Sequence, residues 1–328
     1  MKIFFHNFVL VTLNILLLTI ITILSVKIIK SRDNKSKPHY VTRLYSGDLM
    51  FSETKENLKY FFESIPNNIQ IHTAEWLGYK VQNRINSDGL NDNIEYKIEK
   101  DDSTYRIITI GDSFTFGLYV QTKDNYPEQL EVMLNSKLKC NSVKKFEVIN
   151  LGENIYDIEY ASARFIKRGL KYNPDLVLWL INEHNFTIIN EFSMPILLEM
   201  QSDGIKDFNP VTGEFSEAEE LLRNLRTDIN YNPDFILKYN KNVIDRFLKS
   251  YQNDLFIFSF PKLSYNFKKI LYDYTKFSDR IHYSERLTEI QSAEKFHFPD
   301  YHPNKAGYHI IAEDLFNYLQ SNFLTNCI

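Results

Sequence analysis

A serine, an aspartate and a histidine have the types and the local settings for acyl transfer, provided the fold brings them together. The serine is Ser113, in RIITIGDSFTFG, Arg106 to Gly117. A β-branched run ends there in Gly-Asp-Ser and gives way to Phe-Thr-Phe-Gly, the pattern of a strand, a tight turn and a helix start. Gly111 permits the turn. A serine at a helix N-terminus meets free backbone N–H groups, which suit developing negative charge; a serine that merely caps the helix is the bland alternative. The other two residues lie near the far end, in PDYHPNKAGYHIIAEDLF, Pro299 to Phe316. A serine hydroxyl is a weak nucleophile until a base takes its proton, and imidazole is the usual base. That imidazole needs a carboxylate to fix its tautomer and stabilise its cation. Asp300 and His302 supply both from one loop. His309 falls inside the following helix, where a structural role is expected, and His297 lacks the His-Pro-Asn context.

Acyl transfer also passes through a tetrahedral anion that requires hydrogen-bond donors. The backbone N–H groups of Ser113 and of Gly152, in VINLGENIYD, are candidates, with an ordinary loop glycine as the alternative for Gly152. A third donor is expected after LVLWLI, from Asn182, Glu183, His184 or Asn185.

The elements that must position these groups follow from periodicity. Arg106 to Ile110, Phe146 to Asn150, Asp175 to Ile181 and Asp254 to Phe260 are short apolar runs of strand length. Between and after them lie helical patterns over Tyr126 to Leu138, Tyr156 to Leu170 and Pro233 to Tyr251, and a C-terminal helix that Asn304 can cap. Strands alternating with helices imply an α/β fold with a parallel sheet covered on both faces. Ligands in such sheets bind beyond the carboxyl ends of the strands, where Ser113, Gly152, His184, Asn185 and the Asp300–His302 loop all fall. Periodicity weakens over 190–232, which reads as an insertion.

Those blocks, in that order, resemble the SGNH hydrolases, also called GDSL esterases and lipases. The resemblance covers Arg106 to Leu319, and INSDGLND, Ile85 to Asp92, is similar to a segment that precedes the serine block in anchored bacterial members. It implies a three-layer α/β/α sandwich, no metal or organic cofactor, and hydrolysis or transfer of an O-acyl, often O-acetyl, group. It assigns Ser113 as nucleophile, Asp300 and His302 as its partners, and Gly152 as an oxyanion donor. The family's third block is Gly-x-Asn-Asp, whereas a gapless register puts His184 at the oxyanion asparagine here, leaving Asn182 or Asn185 to supply the amide. One residue, not two, separates Asp300 from His302. The expected function is a serine esterase or deacylase acting on a small-molecule, glycan or lipid ester; the alternatives are an O-acyltransferase using the same residues and a fold-retaining binding protein without turnover.

Composition narrows the partners. The 328-residue chain has a net charge of -4 and 44% hydrophobic residues, with no basic stripe interleaved with aromatics, so nucleic acid is not an expected partner. The uncharged stretch Asn7 to Val26 spans roughly 30 Å as a helix, and no small-residue cleavage site follows it. A single-pass N-terminal membrane anchor over 1–30 is therefore expected, then a linker over 31–40, a lead-in segment over 41–105 and the catalytic domain over 106–328. The basic flank from Lys27 to Lys37 argues for a cytoplasmic domain by the positive-inside rule. The family likeness argues for an extracytoplasmic one. Cys140 and Cys327 lack metal-ligand spacing; two unpaired thiols are the simpler reading and a disulfide the other.

Overall fold

In LVLWLI, alternate residues face opposite ways, and both faces are apolar. The computed structural model makes this run the centre of a sheet. It describes residues 51–53, 58–74, 76–194, 233–260, 262–285 and 293–327, all within the unit Val41–Ile328. The strands are β1 (Phe51–Glu53), β2 (Phe62–Ser64), β3 (Asn68–His72), β4 (Val81–Ile85), β5 (Thr104–Ile110), β6 (Lys145–Asn150), β7 (Leu176–Ile181), β8 (Asp254–Ser259) and β9 (Ile281–Glu285). The helices are α1 (Ser113–Phe116), α2 (Tyr126–Lys137), α3 (Ile158–Arg164), α4 (Glu183–Thr187), α5 (Pro233–Ser250), α6 (Tyr265–Phe277) and α7 (Lys305–Asn322).

The central sheet has five strands in the order β6-β5-β7-β8-β9, all parallel. Val177, Trp179 and Ile181 of β7 join the core under α3, α5 and α6. Leu176, Leu178 and Leu180 join the one under α2 and α7. All six are 0–1% exposed, and each such side chain contributes about 1.5–3 kcal/mol by leaving water. Two buried faces on one parallel sheet give the expected three layers.

Chain order reverses at β5, which has β6 on one side and β7 on the other. Ser113 follows β5 directly, at the crevice that this reversal opens. The lead-in forms two antiparallel hairpins, β1–β2 and β3–β4. They pack against the sheet's carboxyl edge: Ser64 Oγ donates to Glu153 at 2.6 Å, and the Asn83 amide donates to Val120 O at 2.9 Å.

Two expectations are corrected. The single-pass membrane anchor, and with it the assignment of the domain to one side of a membrane, finds no support: among the described residues no helix is long and apolar enough to cross a membrane. Asn7 to Val26, on which that expectation rested, lies outside the described residues, as does most of the 190–232 insertion. Second, Cys140 and Cys327 are not free thiols but a disulfide, with Cα atoms 4.2 Å apart across 187 residues of sequence. It ties the segment after α2 to the end of the chain, a proximity that only the tertiary fold creates.

Candidate active site

Asp112 prepares the serine. Its Oδ1 accepts the Phe114 N–H at 2.9 Å and so caps α1, while its Oδ2 accepts the side-chain amides of Asn182 at 2.6 Å and Asn185 at 3.0 Å. The carboxylate is 6% exposed and held by donors from two strand ends. Ser113 is thereby fixed as the first residue of α1, and its own N–H finds no acceptor among the described residues.

Gly152 fixes the same helix from the other side. A Cβ at this position would fall on the Phe116 nitrogen and the Thr115 carbonyl carbon, so only glycine lets the loop after β6 lie against α1. Asn91 holds its far end, donating to Phe116 O at 2.7 Å and accepting from the Thr122 hydroxyl at 2.7 Å.

The loop before α7 completes the site. Asn304 caps α7 by accepting the Ala306 and Gly307 N–H groups at 3.0 and 3.1 Å. Phe298 N–H donates to His302 O at 2.8 Å and closes the turn that carries Asp300 and His302. His302 Nε2 lies 2.8 Å from Ser113 Oγ, and His302 Nδ1 lies 3.0 Å from Asp300 Oδ2. With Nδ1 protonated toward Asp300, Nε2 presents its lone pair to the serine hydroxyl. Asp300 also accepts the His302 N–H at 3.2 Å. The imidazole side chain is 16% exposed, open enough for a substrate to reach. Phe114 packs on it at 4.9 Å between centroids, and Tyr119 meets it edge-on at 5.7 Å.

Three non-glycine residues around this site have left-handed backbones: Tyr119 (φ 67), Ile155 (φ 63) and Tyr301 (φ 69). A β-branched or bulky residue there is strained. Such strain gathers at functional sites and is held in place by surrounding structure.

The structure therefore brings Ser113, His302 and Asp300 together across 189 residues of sequence. The expected anion donors are arranged differently. Gly152 N–H donates to Asn150 Oδ1 at 2.9 Å. The Asn185 amide donates to Asp112 and to Tyr156 O at 2.9 Å, and Asn182 to Asp112. His184 sits in the first turn of α4 and is exposed. These groups flank the serine, but Gly152 and the asparagines would have to exchange partners to reach an oxyanion. His309 is in α7, bonded through Nδ1 to Gln129 Oε1 at 2.8 Å, as a structural role requires. No group of His, Cys, Asp or Glu among the described residues could hold a metal ion.

Sequence reasoning did not single out Asp112, Asn91 or the strained Tyr119 and Ile155. Asp112 was legible, since an Asp before a serine that starts a helix is a favoured N-cap. Positive φ at Tyr119 and Ile155 carries no sequence signal, because neither type favours it.

No family model matches the chain, and no curated protein matches it. Among solved structures, it is similar to a G-D-S-L-family protein from Desulfitobacterium hafniense DCB-2, with 15% identity and a TM-score of 0.41 over 65% of this chain and 98% of that one. It is also similar to the psychrotrophic esterase EstA from Pseudoalteromonas sp., with 13% identity and a TM-score of 0.42 over 67% and 98%. The family 3 carbohydrate esterase from Clostridium thermocellum gives 15% identity and a TM-score of 0.39 over 66% and 96%.

Proposed function

We propose that the chain is a serine esterase of the SGNH type that removes an O-acyl group from a carbohydrate or lipid through an acyl-enzyme. What supports this is the unbroken pair of hydrogen bonds from Ser113 Oγ to His302 Nε2 at 2.8 Å and from His302 Nδ1 to Asp300 at 3.0 Å. Both distances lie within the range for a nucleophile and its base.

In the first half-reaction Ser113 Oγ attacks the acyl carbon as His302 Nε2 takes the hydroxyl proton. Asp300 stabilises the imidazolium and keeps Nδ1 protonated. The Ser113 N–H, at the start of α1, meets the developing oxyanion, and Gly152 and Asn185 are the nearest candidates to join it by exchanging partners. Collapse of the tetrahedral intermediate breaks the ester bond. The leaving alkoxide takes the proton from His302, and the acyl group remains on Ser113. Water then attacks that ester with His302 as base, releasing the acid and restoring the hydroxyl. Every step uses groups of this chain and none requires a cofactor.

The test is turnover of 4-nitrophenyl acetate and of an O-acetylated oligosaccharide. His302→Ala should lower kcat by about 10³–10⁴-fold while the unfolding midpoint stays near wild type. Equal turnover in a folded His302→Ala variant removes His302 from the mechanism.

A further inference from the structure

Beside the His302 loop lies a hollow of about 550 Å³, walled by Tyr79, Phe298, Gln129, Lys295, Lys305 and His309. Its volume is in the range of small-molecule sites, about 300–1,000 Å³. The rings of Phe298 and Tyr119 separate it from the serine centre. The Phe298 ring lines the hollow and lies 6.0 Å from the Tyr119 ring, which in turn lies 5.7 Å from the His302 imidazole. Phe298 is also bonded to His302 through the backbone at 2.8 Å.

The charge of this wall is opposite to that of the chain. Net charge is -4, yet the charged side chains that line the hollow are Lys295 and Lys305. Lys305 is balanced by Asp124 at 3.0 Å. Lys295 lies 4.7 Å from the centroid of the Phe296 ring and has no carboxylate partner among the described residues. The first turn of α7, an 18-residue helix, opens on the same space through Asn304, Lys305 and Ala306 and adds its positive end. The remaining surface suits a sugar. Tyr79, 56% exposed, and Phe298 offer flat apolar rings to the carbon face of a pyranose. Gln129 and His309, already bonded to each other, present amide and imidazole groups at the wall.

We propose that this hollow is a subsite for an anionic sugar residue of the substrate, next to the one that carries the scissile ester. The enzyme is then selective for acylated acidic glycans, whose carboxylate or phosphate meets Lys295 and Lys305. The proposal deepens the esterase reading and rests on it for the position of the ester.

The test compares O-acetylated oligogalacturonate, O-acetylated xylo-oligosaccharide of equal length, and an O-acetylated glycan phosphate at low ionic strength. Wild type should show kcat/KM at least about tenfold higher for a charged substrate than for the neutral one. Lys295→Glu/Lys305→Glu should bring that ratio close to one, and added salt should lower it in wild type. The two charged substrates distinguish carboxylate from phosphate. A wild type that prefers the neutral glycan, or a ratio unchanged in the double variant, overturns the subsite. Binding of non-acetylated oligogalacturonate and xylo-oligosaccharide to Ser113→Ala, measured by calorimetry, needs no turnover. Preferential binding of the acidic glycan there, lost on charge reversal, supports the subsite even if the ester chemistry fails. No preference overturns it whatever the esterase result.

Discussion

Asp112→Asn keeps size and shape but cannot keep the hydrogen bonds. In the native arrangement one oxygen accepts from Phe114 N–H and the other from both Asn182 and Asn185. An asparagine can turn its oxygen toward only one set. Turned toward Phe114, it sets an NH₂ against two amide donors; turned the other way, it sets an NH₂ against the backbone N–H. The neighbours cannot flip to compensate. Asn182 Oδ1 accepts the Asn185 N–H at 3.1 Å, and Asn185 Oδ1 accepts the Asn182 N–H at 2.8 Å, so turning either amide breaks that reciprocal cap. A buried donor left unmatched costs about 1–3 kcal/mol, so Asp112→Asn should destabilise by about 2–4 kcal/mol. Asp112→Ala also removes the helix cap, which contributes about 1 kcal/mol more. Because Asp112 also fixes Ser113, turnover should fall with stability, by about 10²-fold for a displacement near 1 Å. Urea unfolding followed by fluorescence of the buried Trp179, with ester turnover measured well below the transition, reads both effects. A variant within 0.5 kcal/mol of wild type, with kcat within about twofold, would refute the reasoning that this carboxylate holds the serine.

Other outcomes follow from the same contacts. Glu153 accepts from Arg164 at 2.5 Å and from Ser64 Oγ at 2.6 Å, with both charged side chains at most 1% exposed, so Arg164→Met should lower unfolding free energy by about 3–5 kcal/mol in urea titration. Gly152→Ala should push α1 and reduce turnover about 10²-fold, visible in steady-state kinetics of a variant that still unfolds cooperatively. Burial pushes the carboxyls of Glu131 and Asp157 up to about 7, so the folded chain keeps protons that the unfolded chain has released. Their contribution to stability is complete below the usual carboxylate range and is lost as pH rises through about 7. Glu131 alone carries on the order of 3 kcal/mol, and Glu131→Gln should flatten the fall in melting temperature between pH 5 and 8. Thiol titration of the denatured, unreduced protein should detect no free cysteine, and reducing Cys140–Cys327 should lower stability by about 2–4 kcal/mol.

The sheet and its principal helices were legible because their signals are local. LVLWLI and DLFIFS are apolar on both faces, as strands covered by helices on each side must be. Asn304 and Pro233 mark helix starts as their side-chain chemistry requires. The α6 helix was readable as well, since Phe267, Ile270, Leu271 and Tyr274 recur at helical spacing, although no element was assigned there. The hairpins were not readable. NIQIH buries Gln70 and His72 while Ile69 faces solvent, and VQNRI buries Asn83 between Val81 and Ile85, so the usual correspondence of apolar with inside fails.

The site divides along the same line. Ser113 and His302 could be picked out from turn chemistry and loop context, each within a dozen neighbouring residues. The fate of the amides could not. A gapless register set His184 in the asparagine's place, whereas the fold spends Asn182 and Asn185 on Asp112, a choice made by contacts over 70 and 73 residues of sequence. The Cys140–Cys327 pairing is of the same kind, since nothing local in either segment announces it.

Covalent labelling with a fluorophosphonate, read by intact-protein mass spectrometry and peptide mapping, puts the nucleophile to the most direct test. A single phosphonyl adduct on Ser113 is expected in wild type, slowed in His302→Ala and absent in Ser113→Ala. Folded wild type that takes up no probe, or an adduct that persists in Ser113→Ala, contradicts a nucleophilic Ser113 activated by His302.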